Sequence, residues 1–482
     1  MTPQQLRLLD TLVPALPSRA ILTDRSVIAP WETDWRDRWH GVAPILFEPG
    51  TVMEIQAIVA AAAREGVPLV PQGGNTSMVG GATPPASGEA VILSLRRLNR
   101  IRSIDGDGGL AVAEAGVILA DLHDAAASHA RRFPLTLGSR GSATIGGLVS
   151  TNAGGTQVLR WGTMRGLVAG VEAVLADGSL YEGLAALKKD NRGYDLNQLL
   201  IGAEGTLGII TAATLRLAPA IQARAVAWIG LATPDAAMRL LRRFEAAGNA
   251  VESFELLPAE SLHAVLTHIP GTRPPLAGVH PWHVLVEAVT SDPAAPPPAA
   301  FVEEVLGAAM ADGIVTDATV AANEAQAEAF WRIRDSISDA ERATGPAAQH
   351  DISVPVEAMP RFLIEAAAAC DARFPGTRAS GFGHLGDGNV HFHVRAPAGA
   401  DRRRWLAEEA PAVTRFVDDL VVAAGGSISA EHGIGQMKLH ELERLSPPPR
   451  MAALRAIKRA LDPAGIFNPG KLVTLAPSGA GE

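Results

Sequence analysis

The chain has 482 residues, 47% of them hydrophobic and 19% charged, with a formal net charge of -9. That length carries two or three domains with sizeable cores, and the balance of apolar and charged residues excludes intrinsic disorder. The acidic sum argues against nucleic acid or an anionic membrane surface as the main partner, and a single cysteine, Cys370, excludes an intrachain disulfide framework.

The opening segment, MTPQQLRLLDTLVPALPSRA, has no basic stretch ahead of an apolar core, so it does not read as a secretory leader. No run approaches the ~18 apolar residues that a transmembrane helix needs. A cytoplasmic location is the default expectation. From residue 50 onward helical and strand patterns alternate. TVMEIQAIVAAAAREG has helical spacing, VPLVPQ is a short strand, GGNTSMVGGA a glycine-rich turn and AVILSL another strand. A second glycine-rich block runs from Gly138 to Gly155, and VEAVLADGSLYEG after it predicts a hairpin turning at Asp177 and Gly178. The third block, residues 201 to 219, places its glycines ahead of an alternating apolar run.

After Pro219 the glycine blocks stop. Helical segments such as PDAAMRLLRRFEAAG alternate with strands such as WHVLVEAV, which predicts a second, α+β domain. SDPAAPPPAA, residues 291 to 300, predicts an extended surface connection, and FLIEAAAAC puts Cys370 at a buried helical position and not at a nucleophile's. In GFGHLGDGNVHFHV, residues 381 to 394, the period of two predicts a strand with His391 and His393 on one face, and the preceding glycine-rich turn would fold His384 back toward them. The tail LDPAGIFNPGKLV reads as turn-rich before a final extended piece. The expected domains are 1-219, 220-424 and a C-terminal segment 425-482 that completes the active site and packs on the first domain.

None of the glycine blocks has the order strand, G-x-G-x-x-G, helix, and none is a P-loop. They share glycine beside small polar residues: Gly73, Gly74, Asn75, Thr76 and Ser77, then Ser139, Gly141, Ser142, Thr144, Gly146 and Gly147. Glycine lets backbone approach a ligand, and successive N–H groups lining a concavity bind phosphate oxygens without any lysine, so a dinucleotide is one reading. Tight turns between strands are the other. His384, His391 and Glu431 offer two imidazoles and a carboxylate, a set that holds a divalent metal with coordination positions left open. Histidines on a strand face are also common as satisfied pocket residues, and spacing alone leaves both readings standing.

PQGGNTSMVGGA, GSATIGGLVSTNAGG and DNRGYDLNQLLIGAEGTLGIIT resemble the FAD-binding domain of vanillyl-alcohol oxidase type flavoproteins, with its two subdomains. GHLGDGNVHFHV, SAEHGIGQMK and DPAGIFNPGK resemble the branch that holds the D-2-hydroxyglutarate, D-lactate and glycolate dehydrogenases, and the similarity runs from about residue 30 to 472. The fold implied is α+β: that FAD-binding domain, an α+β substrate or cap domain with an antiparallel sheet, and a small C-terminal helical segment. The resemblance implies that Gln72, Gly73, Gly74, Asn75, Thr76 and Ser77 surround the FAD diphosphate, with Pro71 and Gly80 beside them. It implies that Ser139, Ser142, Thr144, Ile145, Gly146, Gly147, Asn152, Gly154 and Gly155 line the cofactor, and that Glu204, Gly208 and Ile209 lie nearer the isoalloxazine and adenosine, with Asn468 also a cofactor residue. Asn75 and Thr76 stand where covalently flavinylated members often carry a histidine, so non-covalent FAD is expected.

The same resemblance makes His384, His391 and Glu431 ligands of zinc or manganese, His432 the candidate general base, Arg334 the arginine that binds the substrate carboxylate and Ser338 its hydroxyl partner at i+4 on a helix-like stretch. Two positions depart from the hydroxyglutarate pattern: Gln349 stands in place of a lysine that contacts substrate, and His393 in place of an asparagine. The implied activity is FAD- and metal-dependent oxidation of a D-2-hydroxy acid to the 2-oxo acid. Hydride passes to flavin N5 and electrons to a protein or quinone acceptor such as electron-transfer flavoprotein, with direct use of oxygen a subordinate option. The substrate is a hydroxyglutarate-like diacid or a lactate-like monoacid. A metal-dependent hydrolase with purely structural glycine loops, or a flavin-binding electron-transfer subunit without its own catalysis, are the alternatives from other classes. Oligomeric state, a homodimer included, is not legible.

Overall fold

The computed structural model describes residues 1–475. They divide into two compact units: the first comprises Met1–Gly154, Gly162–Pro219 and the stretch from Glu431 onward, the second Gly155–Trp161 and Ala220–Ala430.

In the first unit, strands β1 (Ile21–Leu22), β2 (Leu46–Phe47), β3 (Leu69–Gln72) and β4 (Val91–Ser94) form a sheet in the order β1-β2-β4-β3, with β2, β3 and β4 parallel. The helix Val52–Glu65 is the crossover between β2 and β3. Thr51 caps its start by accepting from the Glu54 N–H, Gly66 ends it in the left-handed region at φ 65°, and Ile55, Ile58 and Val59 are buried in the core beside Phe47 and Leu69. β5 (Ile101–Asp105), β6 (Leu110–Glu114), β8 (Val168–Val174), β9 (Leu180–Glu182) and β10 (Ile209–Arg216) make an antiparallel sheet in the order β5-β6-β10-β8-β9. Two short strands, β7 (Arg131–Arg132) and β11 (Ala218–Pro219), pair separately. The β8 and β9 hairpin turns at Asp177 and Gly178, as its sequence predicts.

The second glycine block holds a helix that its composition conceals, Ile145–Thr151. Glycine disfavours helix, but a Cβ at Gly146 would lie 2.6 Å from the Ala115 Cβ, so close packing requires the residue that propensity argues against.

The second unit is built on one antiparallel sheet of seven strands. These are β12 (Ala223–Leu231), β13 (Val251–Pro258), β14 (Trp282–Thr290), β15 (Asp317–Val320), β16 (Ala347–Ser353), β17 (Arg378–His384) and β18 (Asn389–Arg395), in the order β15-β12-β14-β13-β17-β18-β16. One face, with Phe254, Leu256, Val390, Phe392 and Val394, packs into the larger core with the helices Pro234–Ala247, Pro298–Ala311, Met359–Arg373 and Ala410–Ala423. The other face carries Trp228, Leu257 and Phe382 against Ala259–His268, Glu324–Asp335 and Ile337–Thr344. Because side chains alternate along a strand, Val390, Phe392 and Val394 on the first face leave His391 and His393 together on the second.

Three local expectations are revised. Gly381 and Gly383 are not a turn; they belong to β17, and only residues 385–388 turn the chain into β18. The end of the proline-rich connection is helical, since Pro298 opens Pro298–Ala311, where a missing N–H costs nothing. The extended tail piece has no strand up to residue 475 and continues outside the described residues. Cys370 is fully buried in Met359–Arg373, and burial pushes its thiol up to about 12.

Gly388 closes the β17–β18 turn at φ 79°, and a Cβ there would lie 2.1 Å from the Val354 carbonyl oxygen. Replacing it with alanine is expected to lower stability by more than about 1 kcal/mol in urea unfolding; an unchanged midpoint would show that the turn relaxes freely.

Candidate active site

In the first unit, the loop after β3 folds against the segment 142–147. A Cβ at Gly73 would lie 2.2 Å from Thr144 Oγ1, and one at Gly74 would lie 1.9 Å from the Ser142 carbonyl oxygen. The carbonyl oxygens of Gly73 and Gly74 accept from Arg96 Nε and Nη2 at 3.1 and 3.4 Å, while Asn75 takes the left-handed region at φ 55°. Among the described residues no backbone N–H from Gly74 to Met78 donates to a protein acceptor. The Thr144 hydroxyl is buried without a partner. A run of amides and an orphaned hydroxyl around close-packed glycines fits the diphosphate of FAD, which accepts hydrogen bonds only. Gln72 has a different part. It is buried, and its amide donates to the carbonyls of Trp31 and Ala82 at 3.0 and 2.8 Å, so it braces the loop. Asn75 donates likewise to the Thr33 carbonyl at 2.9 Å.

Glu204 is the hub of this unit. Its carboxylate accepts from the N–H groups of Ile434 and Gly435, both at 2.7 Å. Burial, which outweighs those two bonds, raises its carboxyl above the usual range. Its own N–H donates to the Ser150 carbonyl at 2.7 Å, behind the helix Ile145–Thr151. Asn468 donates to the carbonyls of Glu204 at 2.7 Å and Gly81 at 2.9 Å. Asn152 ends that helix in the left-handed region at φ 51° and accepts from the Arg165 N–H. Gly208 packs where a Cβ would lie 2.9 Å from Leu200, and Ile209 begins β10. Ser139 and Ser142 flank the tight turn ahead of Thr144, Ser142 exposed, while Pro71 lies within β3 and Gly80 against Trp39 and Gln436. Gly154 closes a stretch of this unit, and Gly155 opens the short piece that belongs to the other.

In the second unit, a carboxylate that the sequence reading passed over organises the face. Glu255 projects from β13 with a 2% exposed side chain; its Oε2 accepts from Arg334 Nε at 2.8 Å, and its Oε1 lies 2.6 Å from His384 Nδ1. Burial works to raise this carboxyl, but the charges of Arg334 and His384 outweigh it and hold it at about 2. The Glu255 carboxylate beside Nδ1 fixes the orientation of the His384 ring. Arg334 Nη2 also lies 3.4 Å from His384 Nε2.

His384 and His391 come together with ring centroids 5.7 Å apart, and Phe382 lies between His391 and His393 at 5.1 and 5.6 Å. Asp351 faces His391 across β16 and β18 and accepts from Asn389 Nδ2 at 2.9 Å. Ala430, the last residue of this unit, donates its N–H to the Asp351 carbonyl at 3.4 Å. Gln349 sits opposite His393 in the same register. His393 lies 3.5 Å from the buried carboxylate of Glu341, which accepts from Arg395 at 2.6 Å; His393 and Arg395 outweigh burial and lower that carboxyl. Arg334 and Ser338 do not share a helix. Glu324–Asp335 stops at Ser336, and Ser338 is exposed on the next helix, Ile337–Thr344. Glu255 stands in the largely apolar strand VESFELLP, a signal that could have marked it, whereas Glu341 in the polar stretch SISDAERA carries no such signal.

Residues 221–472, more than half of the chain, match the family model of the C-terminal domain of FAD-linked oxidases. The chain belongs to the FAD-linked oxidase family. Residues 43–183 match the FAD-binding domain, so this FAD-linked oxidase is an FAD-dependent oxidoreductase. It is 36% identical over 96% of its length to the D-2-hydroxyglutarate dehydrogenase of Xanthomonas citri pv. viticola, 96% of which is covered. It is 34% identical over 95% of its length to the mitochondrial D-2-hydroxyglutarate dehydrogenase of Arabidopsis thaliana, 80% of which is covered. Saccharomyces cerevisiae has a D-2-hydroxyglutarate–pyruvate transhydrogenase 31% identical over 92% of this chain and 90% of its own. Among solved structures, p-cresol methylhydroxylase superposes with a TM-score of 0.74 at 14% identity, covering 98% of this chain and 97% of that one. Alkyldihydroxyacetonephosphate synthase gives 0.71 at 16% identity, covering 98% and 86%. The fold is therefore the α+β vanillyl-alcohol oxidase type. Among the described residues no helix is long and apolar enough to cross a membrane.

Removing one partner of a buried charge pair leaves the other uncompensated. Glu255→Gln is expected to cost about 3 kcal/mol or more in urea unfolding, whereas a loss below about 1 kcal/mol would mean that water screens Arg334 and His384.

Proposed function

We propose that this FAD-linked oxidase oxidises a D-2-hydroxy acid to the 2-oxo acid, with D-2-hydroxyglutarate or a similar diacid as the leading substrate. The observation that carries the reading is Glu255, which aims an arginine and a histidine at one sheet face in a chain whose relatives are named for that substrate.

Arg334 holds the substrate's C1 carboxylate, for which a planar fork suits better than a point charge. Ser338 and His393 add hydrogen bonds at the rim of the same face. His384, His391 and Glu431 hold a divalent cation, zinc or manganese; the closeness of the two imidazoles, with ring centroids 5.7 Å apart, supports this. When bound, such a cation lowers the pKa of the hydroxyl it contacts and stabilises the alkoxide. His432, next to Glu431, takes the hydroxyl proton. Bound FAD supplies the hydride acceptor at N5, and non-covalent attachment follows from Asn75 and Thr76 in the loop. The residues from Pro71 to Gly80, from Ser139 to Gly155, and Glu204, Gly208, Ile209 and Asn468 hold the cofactor, with Gln72, Asn75, Glu204 and Asn468 acting as braces. Electrons pass on to a protein or quinone acceptor such as electron-transfer flavoprotein. A cytoplasmic location belongs to the same proposal, in keeping with a single buried thiol.

A second reading, a lactate-like monoacid, is favoured by Gln349. It is uncharged opposite His393, and the nearby Arg395 is already paired with Glu341.

Anaerobic mixing with D-2-hydroxyglutarate is expected to bleach the flavin while the L enantiomer does not. His384→Ala and Glu431→Ala should keep FAD and lose bleaching on the order of 100-fold or more, since a Lewis acid supplies several kcal/mol. Full turnover after metal removal would sink the cation. Gln349→Lys is expected to shift the ratio of specificity constants toward diacids by about tenfold, worth 1.4 kcal/mol; an unchanged ratio would mean that this position does not meet the distal group.

A further inference from the structure

The helix Ile337–Thr344 buries Ile337, Ala340 and Glu341 together, so a charge takes an inward position beside two apolar side chains. One oxygen of Glu341, Oε2, meets both of its cations: Arg395 Nη2 at 2.6 Å and His393 Nδ1 at 3.5 Å. The other, Oε1, is buried without a hydrogen bond, and so is Arg395 Nε. Burial works to raise this carboxyl, but His393 and Arg395 outweigh it and hold it below its usual range, so its charge is present at neutral pH. A buried ion pair with unanswered polar atoms is often no better for a fold than apolar side chains of the same volume. Stability alone therefore gives no reason for Glu341.

Its place on the sheet gives one. With Val390, Phe392 and Val394 in the core, His391, His393 and Arg395 share the opposite face of β18, at steps of about 7 Å. His393 is the cross-strand partner of Gln349, the position proposed above to meet the distal group of the substrate. Arg395 lies one step further on, and its side chain is 20% exposed. Together Glu341 and Arg395 carry no net charge. Removing either one leaves a whole charge of the other sign beside that position, and a unit charge about 10 Å from a carboxylate shifts its binding roughly tenfold where the effective dielectric is about 20.

We propose that Glu341 is a specificity-determining residue: packed behind His393, it cancels the charge of Arg395 and so limits the preference of this sheet face for an acid with a second carboxylate over one with an uncharged end. This deepens the D-2-hydroxy acid reading and rests on it.

The test uses holoenzyme carrying Glu341→Gln, Arg395→Gln, both substitutions together, or Glu341→Asp. It measures FAD content and the second-order rate constants of anaerobic flavin reduction by D-2-hydroxyglutarate and by D-2-hydroxypentanoate, which has the same carbon chain without the second carboxylate. Glu341→Gln is expected to raise the ratio of diacid to monoacid constants about tenfold and Arg395→Gln to lower it about tenfold. The double variant and Glu341→Asp should return it to within about twofold of wild type. Loosened packing would lower both constants together and would not move their ratio in opposite directions in the two single variants. A ratio unmoved in either single variant, or moved the same way in both, would overturn the proposal. Failure of both single variants to fold would make the pair structural and overturn it too. Wild-type flavin that neither acid bleaches would instead sink the D-2-hydroxy acid reading, whereas bleaching with an unmoved ratio sinks only the role of Glu341.

Discussion

The second unit depends on one buried carboxylate. Glu255 stands in the middle of an antiparallel sheet with a 2% exposed side chain, where an isolated charge would be expelled or neutralised. It stays ionised because Arg334 and His384 converge on it from a helix and from the end of the neighbouring strand. The dependence is mutual. Without Glu255 the same face would hold a largely buried guanidinium beside an imidazole without the carboxylate that both now contact.

The first unit solves a comparable problem with backbone. Its flavin loops are too rich in glycine to hold their own shape, so they borrow rigidity from the C-terminal stretch. Glu204 accepts two amides from Ile434 and Gly435, Asn468 reaches the carbonyls of Glu204 and Gly81, and Gln436 donates to the Gly80 carbonyl at 2.9 Å. Lys458 and Asp462, both buried, lock the last helix to the Thr206 carbonyl. Residues more than 220 apart in the chain therefore set the loop geometry, and the low entropy cost of closing long loops makes such stitching affordable.

The positions at which this chain departs from the hydroxyglutarate pattern lie together on the same sheet face as the histidines. Gln349 and His393 are cross-strand partners, and His393 and Arg395 share the buried carboxylate of Glu341. An arginine already bound to a buried glutamate adds little net charge to its surroundings, so Arg395 leaves the neighbourhood of the uncharged Gln349 with little added positive charge. Gln349, His393, Arg395 and Glu341 thus form one small electrostatic cluster at the end of the sheet.

The glycine blocks, the period-two run through His391 and His393, the helical setting of Cys370 and the change of character after Pro219 are legible in the sequence because they are local. Side-chain alternation and glycine spacing report on neighbours one to four residues away. The helix inside GSATIGGLVSTNAGG, the strand character of Gly381 and Gly383 and the break between Arg334 and Ser338 were decided by packing, where a Cβ against Ala115 or a capped turn at Ser336 outweighs propensity. Glu255, Glu341 and Lys471 illustrate the limit most plainly. Each appears in the sequence as a charged letter with no stated partner, and only the tertiary structure shows that Glu255 finds two cations, that Glu341 finds an arginine and a histidine, and that Lys471 finds no carboxylate among the described residues. The cost of a buried charge depends on its partners, and partners more than fifty residues distant are chosen by the fold.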